Sequence, residues 1–253
     1  MIELCLTLCL AFQDPEPKPQ EVPVPPAPVF EEWDDKTAKA AVKDFEKKMK
    51  PKSASLRDKL TAVEELARGS HAKLIAPLAK TCLTEKALTV RKAAAEALAH
   101  QPDKEAKRAV LALLGDDELR DVPQVGASLL LALGTLGYEA GRDWKHLDGL
   151  FERDYAAERV PLQQAMLKLI QGTNELEALD LLVDNLGEPV PADPDDPANP
   201  PAAYWEARWK AWSVWREDVK ATLLALTGQR FSTAEEARVW IKKNGAELRR
   251  RNK

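Results

Sequence analysis

Side chains that could do covalent or acid–base chemistry are sparse. The three histidines, His71, His100 and His146, are scattered, and none is followed by the glutamate of an HExxH pair. His71 and His100 fall at helix edges or turns, where a histidine caps a helix or meets solvent. Of the three cysteines, Cys5 and Cys9 lie in the first dozen residues, and Cys82 stands alone in the body of the chain. It sits on an apolar helix, the setting of an inert core thiol. Asp116, Asp117, Glu118 and Asp143 are candidate acid–base carboxylates, although Asp116 and Asp117 stand where a residue follows one helix or caps the next. Asp193, Asp195 and Asp196 could approach a cation, but the EF-hand spacing, its turn glycine and its distal glutamate are missing. No glycine-rich phosphate loop and no GxSxG elbow occurs. No catalytic residue, metal or cofactor is therefore assigned.

The residues best suited to recognition are aromatic. Trp205, Trp209, Trp212 and Trp215 hold four of the seven tryptophans within eleven residues. At about 100° per residue they share one broad helical face. Such a stripe either seals a core or stays exposed as a hot spot for a partner protein or a glycan. These four are the candidate partner-binding residues.

The elements that must position them read as helices throughout. In 89–99, Val90, Ala94, Ala97 and Leu98 follow i, i+4, i+7 and i+8, one apolar helical stripe. Alanine at 93, 94, 95, 97 and 99 favours helix and permits close approach of a neighbour. The pattern recurs. Val90, Val125 and Val160 open apolar helices at intervals of 35 residues, and Leu56 opens another 34 residues before Val90. Each is followed by a second apolar run: Leu74–Leu78, Ala109–Leu114, Leu147–Phe151 and Ala178–Leu182. A period of about 35 residues made of helix pairs is the signature of an α-solenoid.

Val90-Arg91-Lys92-Ala93-Ala94-Ala95-Glu96-Ala97-Leu98 closely resembles the first-helix motif of HEAT and armadillo-like repeats, and Ile75-Ala76-Pro77-Leu78 resembles their proline-bearing second helix. The resemblance spans residues 55–187. It implies an all-α fold, a right-handed solenoid of about four HEAT-like helix pairs, generally used for protein–protein contact. The His-Glu pairs of HEAT-type di-iron hydroxylases are absent. The basic concave face that HEAT-like DNA glycosylases need is disfavoured by an isoelectric point of about 5.6. The tail Leu226-Thr227-Gly228-Gln229-Arg230-Phe231, with Trp240 beyond, is similar to tails of uncharacterised bacterial HEAT-repeat proteins.

The flanks divide the chain further. Residues 1–13 read as a signal peptide, because Ile2–Phe12 is apolar but too short to span a bilayer. Residues 14–32 read as a proline-rich tether, with seven prolines between 14 and 28. The repeat domain occupies 33–187. It starts with a capping helix whose face is Ala38, Ala41, Val42, Phe45 and Met49 and whose start Phe30 and Trp33 would staple. Residues 188–201 read as a Pro/Asp-rich linker, 202–247 as a Trp-rich helical hairpin, and 248–253 as a basic tail. Pro102, Pro123 and Pro161 suit turns or first helical turns, and Gly115, Gly137 and Gly172 suit helix ends. Hydrophobic residues at 45% and charged residues at 31% fit a globular chain, and a net charge of −4 gives no general attraction to nucleic acid or anionic lipid. The expectation is a non-catalytic scaffold that binds another protein in an extracytoplasmic compartment, periplasmic or secreted, without stable membrane insertion. An enzyme or lyase-like protein with a concave-face cleft, and a carbohydrate-binding module using exposed tryptophans, are the alternatives.

Overall fold

The computed structural model describes residues 30–50, 54–191 and 193–251. The signal-peptide assignment and the tether up to residue 29 fall outside them. The chain is predominantly helical: α1 (Asp35–Met49), α2 (Leu56–Ala67), α3 (Ala72–Thr84), α4 (Leu88–Leu98), α5 (Asp103–Leu114), α6 (Asp117–Arg120), α7 (Pro123–Thr135), α8 (Val160–Thr173), α9 (Leu179–Asp184), α10 (Ala202–Thr227) and α11 (Ala234–Arg251). Among the described residues the only strands are β1 (Glu31–Glu32) and β2 (Gly69–Ser70), which pair in parallel.

Local chemistry sets the helix ends. Asp34 caps α1 by accepting the Thr37 N–H at 2.7 Å, and Ser55 with Asp58 forms a capping box on α2. Pro123 and Pro161 occupy first-turn positions of α7 and α8, where no helical N–H is lost. Gly228 closes α10 in the left-handed region, at φ 70°. One expected stop is displaced. Gly172 lies inside α8, and Asn174 takes the left-handed cap at φ 55°. Asparagine tolerates that conformation because its short polar side chain bonds locally. Helix α11 runs on through Arg251, so Arg249, Arg250 and Arg251 form its last turn.

Packing repeats along the chain. Helix α2 packs on α4, α4 on α7, α7 on α8 and α8 on α10, while α1 packs on α3 and α3 on α5. The helices that follow one another share a buried triplet: Ala62-Val63-Leu66, Ala94-Ala95-Leu98, Leu129-Leu130-Leu133 and Met166-Leu167-Ile170, all essentially inaccessible. Their spacings are 32, 35 and 37 residues. The openers Leu56 and Val160 are not the repeated core positions, for Leu56 is 50% exposed and Val160 only partly buried. Unequal connections between helices shift the true register away from a constant 35.

The expected second helix at Leu147–Phe151 does not form. Residues 136–156 instead carry a 3₁₀ turn at Trp144–His146 and further turns, with Gly137, Gly141 and Gly149 at positive φ. Three left-handed glycines within thirteen residues break the helical backbone that the apolar spacing suggested. The start of the domain is also tied down differently. Trp33 lies against Gly69, where a Cβ would fall 2.1 Å from the indole, and Phe30 stacks on His100 at 3.7 Å. Gln101 joins the strap by donating to the Gly69 carbonyl at 3.0 Å. Phe30 and Trp33 thus fasten the entering chain to the α2–α3 and α4–α5 corners.

Candidate functional site: the tryptophan face of α10

The four tryptophans occupy three kinds of environment. Trp215 is wholly buried; its Nε1 donates to Gln163 Oε1 at 3.1 Å, and its ring meets Phe151 edge-on at 5.1 Å. The Gln163 amide donates in turn to the Phe151 carbonyl at 3.0 Å, so Trp215 ties α10 to α8 and to the irregular segment. Trp212 is buried, and Trp205 is half-buried. The buried indole N–H of each has no hydrogen-bond partner among the described residues. Trp209 is 45% exposed and donates to Glu188 Oε1 at 2.7 Å.

Arginines complete this face. The Arg216 guanidinium lies 5.2 Å from the Trp212 ring centre. Arg208 lies 5.2 Å from that of Tyr155 and 5.8 Å from that of Trp205. Tyr204 meets both Trp205 and Tyr155 edge-on. Burial pushes the Tyr155 hydroxyl up to about 12, so this phenol stays neutral beside Arg208 at physiological pH. The signal for these arginines in the sequence is helical spacing, i+3 for Trp205–Arg208 and i+4 for Trp212–Arg216. Arginine and tryptophan together suit recognition of a protein surface, because both add contact area with few mobile torsions per unit area or pre-set donor geometry.

The other candidates serve the fold. His71 caps α3, its Nδ1 accepting the Lys73 N–H at 3.1 Å, with Nε2 3.2 Å from Asp35. Burial lowers the pKa of His100 against Phe30, and His146 is an exposed residue closing a 3₁₀ turn. Cys82 is fully buried, and desolvation pushes its thiol up to about 12. Asp116 caps α6 by accepting the Glu118 N–H at 2.8 Å. Asp143 is buried, accepts the Glu139 N–H at 2.9 Å and lies 3.2 Å from Lys107 Nζ. In the linker, Asp193 and Asp196 accept the N–H groups of Asp195 and Ala198, which makes turns. Among the described residues no group of three His, Cys, Asp or Glu side chains is placed to hold a metal ion, and no helix is long and apolar enough to cross a membrane. Comparison with protein-family models, with characterised proteins and with solved structures returns no match.

Proposed function

We propose that this chain is a non-catalytic α-solenoid of HEAT-like helix pairs that binds another protein, acting outside the cytoplasm. The observation that carries the reading is the packing order. Each helix of the series α2, α4, α7, α8, α10 lies on the next, and each of the first four buries the same triplet against its neighbours. Stacked helix pairs leave long faces of side chains facing solvent, which suits contact with a macromolecule better than enclosure of a small substrate. Trp209 is the exposed indole of the tryptophan face and the part available to a partner, with Arg208 over Trp205 and Arg216 over Trp212 on the same helix. The glycan-binding alternative needs several exposed indoles, and Trp209 is the exposed one of the four.

The test is cross-linked affinity capture of tagged full-length protein from its native cells, read by mass spectrometry. The reading expects a defined partner that is lost on Trp209→Asp, with the helical circular dichroism unchanged. Turnover of a substrate that is abolished by one charged-residue substitution would overturn it in favour of an enzyme. The same spectra read the mature N-terminus, and a chain that retains Met1 would remove the export assignment.

A further inference from the structure

A groove lies at the opposite end of the helix series, between α1 and α3. The groove there encloses about 780 Å³. Val42, Phe45 and Met49 of α1 and Ala76 and Pro77 of α3 make it apolar, and Lys39, Lys50, Lys73 and Lys80 stand along it. The apolar residues of α1 follow i, i+3, i+7, so they form a ridge along the helix axis. The depression beside such a ridge takes a third helix lengthwise.

Its charge is unbalanced. Lys39 and Lys73 share one carboxylate, Asp35, and Lys50 and Lys80 enter no ion pair among the described residues. Of the two acids lining the groove, Glu85 is already held by Lys59 at 3.0 Å, which leaves Glu46. The wider region shares the excess: residues 30–115 hold 18 basic against 13 acidic residues, whereas 116–200 hold 6 against 18. The overall charge of −4 conceals this segregation.

We propose that the α1–α3 groove docks an acidic amphipathic helix of the partner protein, its apolar stripe on Val42 and Met49 and its carboxylates on Lys50 and Lys80. This rests on the scaffold reading and names the chemistry of what the scaffold holds. Methionine adapts to the shape of an incoming apolar side chain, and the lysines set orientation and association rate.

Fluorescence anisotropy of full-length protein tests it with two labelled synthetic helical peptides. Both carry one leucine stripe; the first has glutamates on its remaining faces and the second has lysines there. The acidic peptide binds at least tenfold tighter than the basic one, and the difference shrinks as ionic strength rises. Ala76→Glu, at an exposed helical position, abolishes binding, and Lys50→Glu with Lys80→Glu reverses the preference. Equal binding of both peptides, no binding, or acidic-peptide binding that survives Ala76→Glu overturns the proposal. A concentration-dependent dimer dissociated by Ala76→Glu also overturns it, by making a second copy the occupant. Trp209→Asp leaves peptide binding unchanged, so failure at the groove and failure of the tryptophan face are separately visible.

Discussion

The α7–α8 interface and the segment 136–156 lie side by side and are built by opposite means. Between α7 and α8 the contact is apolar and close. A Cβ on Gly126 would come within 2.7 Å of Leu162 Cδ1, and Leu129, Leu130, Met166 and Leu167 are essentially inaccessible. The segment 136–156 occupies the place of a second helix but has no helical ladder for its backbone. Polar side chains from neighbouring elements make up the deficit. Glu175 accepts from the Tyr138 hydroxyl and the Gly141 N–H at 2.7 Å each; Arg159 donates to the Leu150 carbonyl at 2.6 Å; Gln163 donates to that of Phe151; and Asn185 donates to Glu152. Asp143 bonds within the segment and reaches Lys107. Among the described residues, five of the ten buried polar or charged ones are these: Asp143, Arg159, Gln163, Glu175 and Asn185. Where secondary structure satisfies the backbone, the core is largely hydrocarbon; where it does not, polar side chains must be buried beside the apolar ones.

The comparison is broken most severely at the α10 residue that touches both regions. Trp215 fills the apolar core and carries the polar relay from Gln163 to Phe151. Trp215→Ala removes the largest fully buried side chain and leaves Gln163 Oε1 without its donor. The expected loss is about 3–5 kcal/mol in urea denaturation, from lost apolar burial and the cavity left behind. A loss near 1 kcal/mol would mean that α10 is not integral to the core. Next is Glu175→Ala, which strands the Tyr138 hydroxyl and the Gly141 and Glu177 N–H groups. Losing a buried acceptor to several donors costs about 3 kcal/mol, and Glu175→Gln about half as much because one oxygen remains. Hydrogen exchange at Gly141 should accelerate in the alanine variant while that of Leu130 holds; equal acceleration at both would show that the segment is not a separate polar unit.

This division explains what the sequence could reveal. Helices packed by hydrocarbon announce themselves through periodicity, and Val90 to Leu98 and Leu129 to Leu133 were readable for that reason. Leu147 to Phe151 has apolar residues too, and they are buried, but the decisive residues are Glu175, Gln163 and Asn185, distant in sequence and ordinary in type. Apolar spacing reports burial and not backbone conformation. The tryptophan face shows the same limit. Helical spacing placed the four indoles on one broad face, but whether each was buried depended on Phe151, Tyr155 and Gln163, supplied from elsewhere. The α1–α3 groove was invisible because it exists only between two elements.

Two smaller changes probe each side of the comparison. On the apolar side, Gly126→Ala forces the Leu162 side chain to turn, and its expected net cost is about 1–2 kcal/mol, since a helical alanine recovers part of the overpacking penalty. No loss of stability would show that α8 can retreat freely. On the polar side, burial, then the Glu175 carboxylate, holds the Tyr138 hydroxyl above the ordinary tyrosine range. A folded-state pKa raised above the unfolded value gives stability that is complete below about 10 and is lost as pH rises beyond it. Stability should therefore fall progressively as pH rises above about 10, and Tyr138→Phe should flatten that fall while costing about 1 kcal/mol at neutral pH. Tyr155, also raised by burial, keeps the profile from becoming level. An unchanged alkaline slope in Tyr138→Phe would place the sensitivity elsewhere.

The smallest effect discriminates most finely. Gly134 stands two turns beyond Gly126 on α7, and a Cβ there would meet Leu169 Cδ1 at 3.5 Å, ordinary van der Waals contact. If close approach of α8 demands glycine only at Gly126, then Gly134→Ala is free to gain what alanine gives any helix, about 0.5–1 kcal/mol, through a less flexible unfolded chain. The two substitutions are chemically identical, lie on one helix and face the same neighbour, so helix propensity cancels between them. Their difference in urea midpoint measures the local gap between α7 and α8 directly. Opposite signs would locate the closest contact at the Gly126 end of the interface. A destabilising Gly134→Ala would mean that the helices press together along their whole length, and that the apolar side is as intolerant of change as the pinned segment beside it.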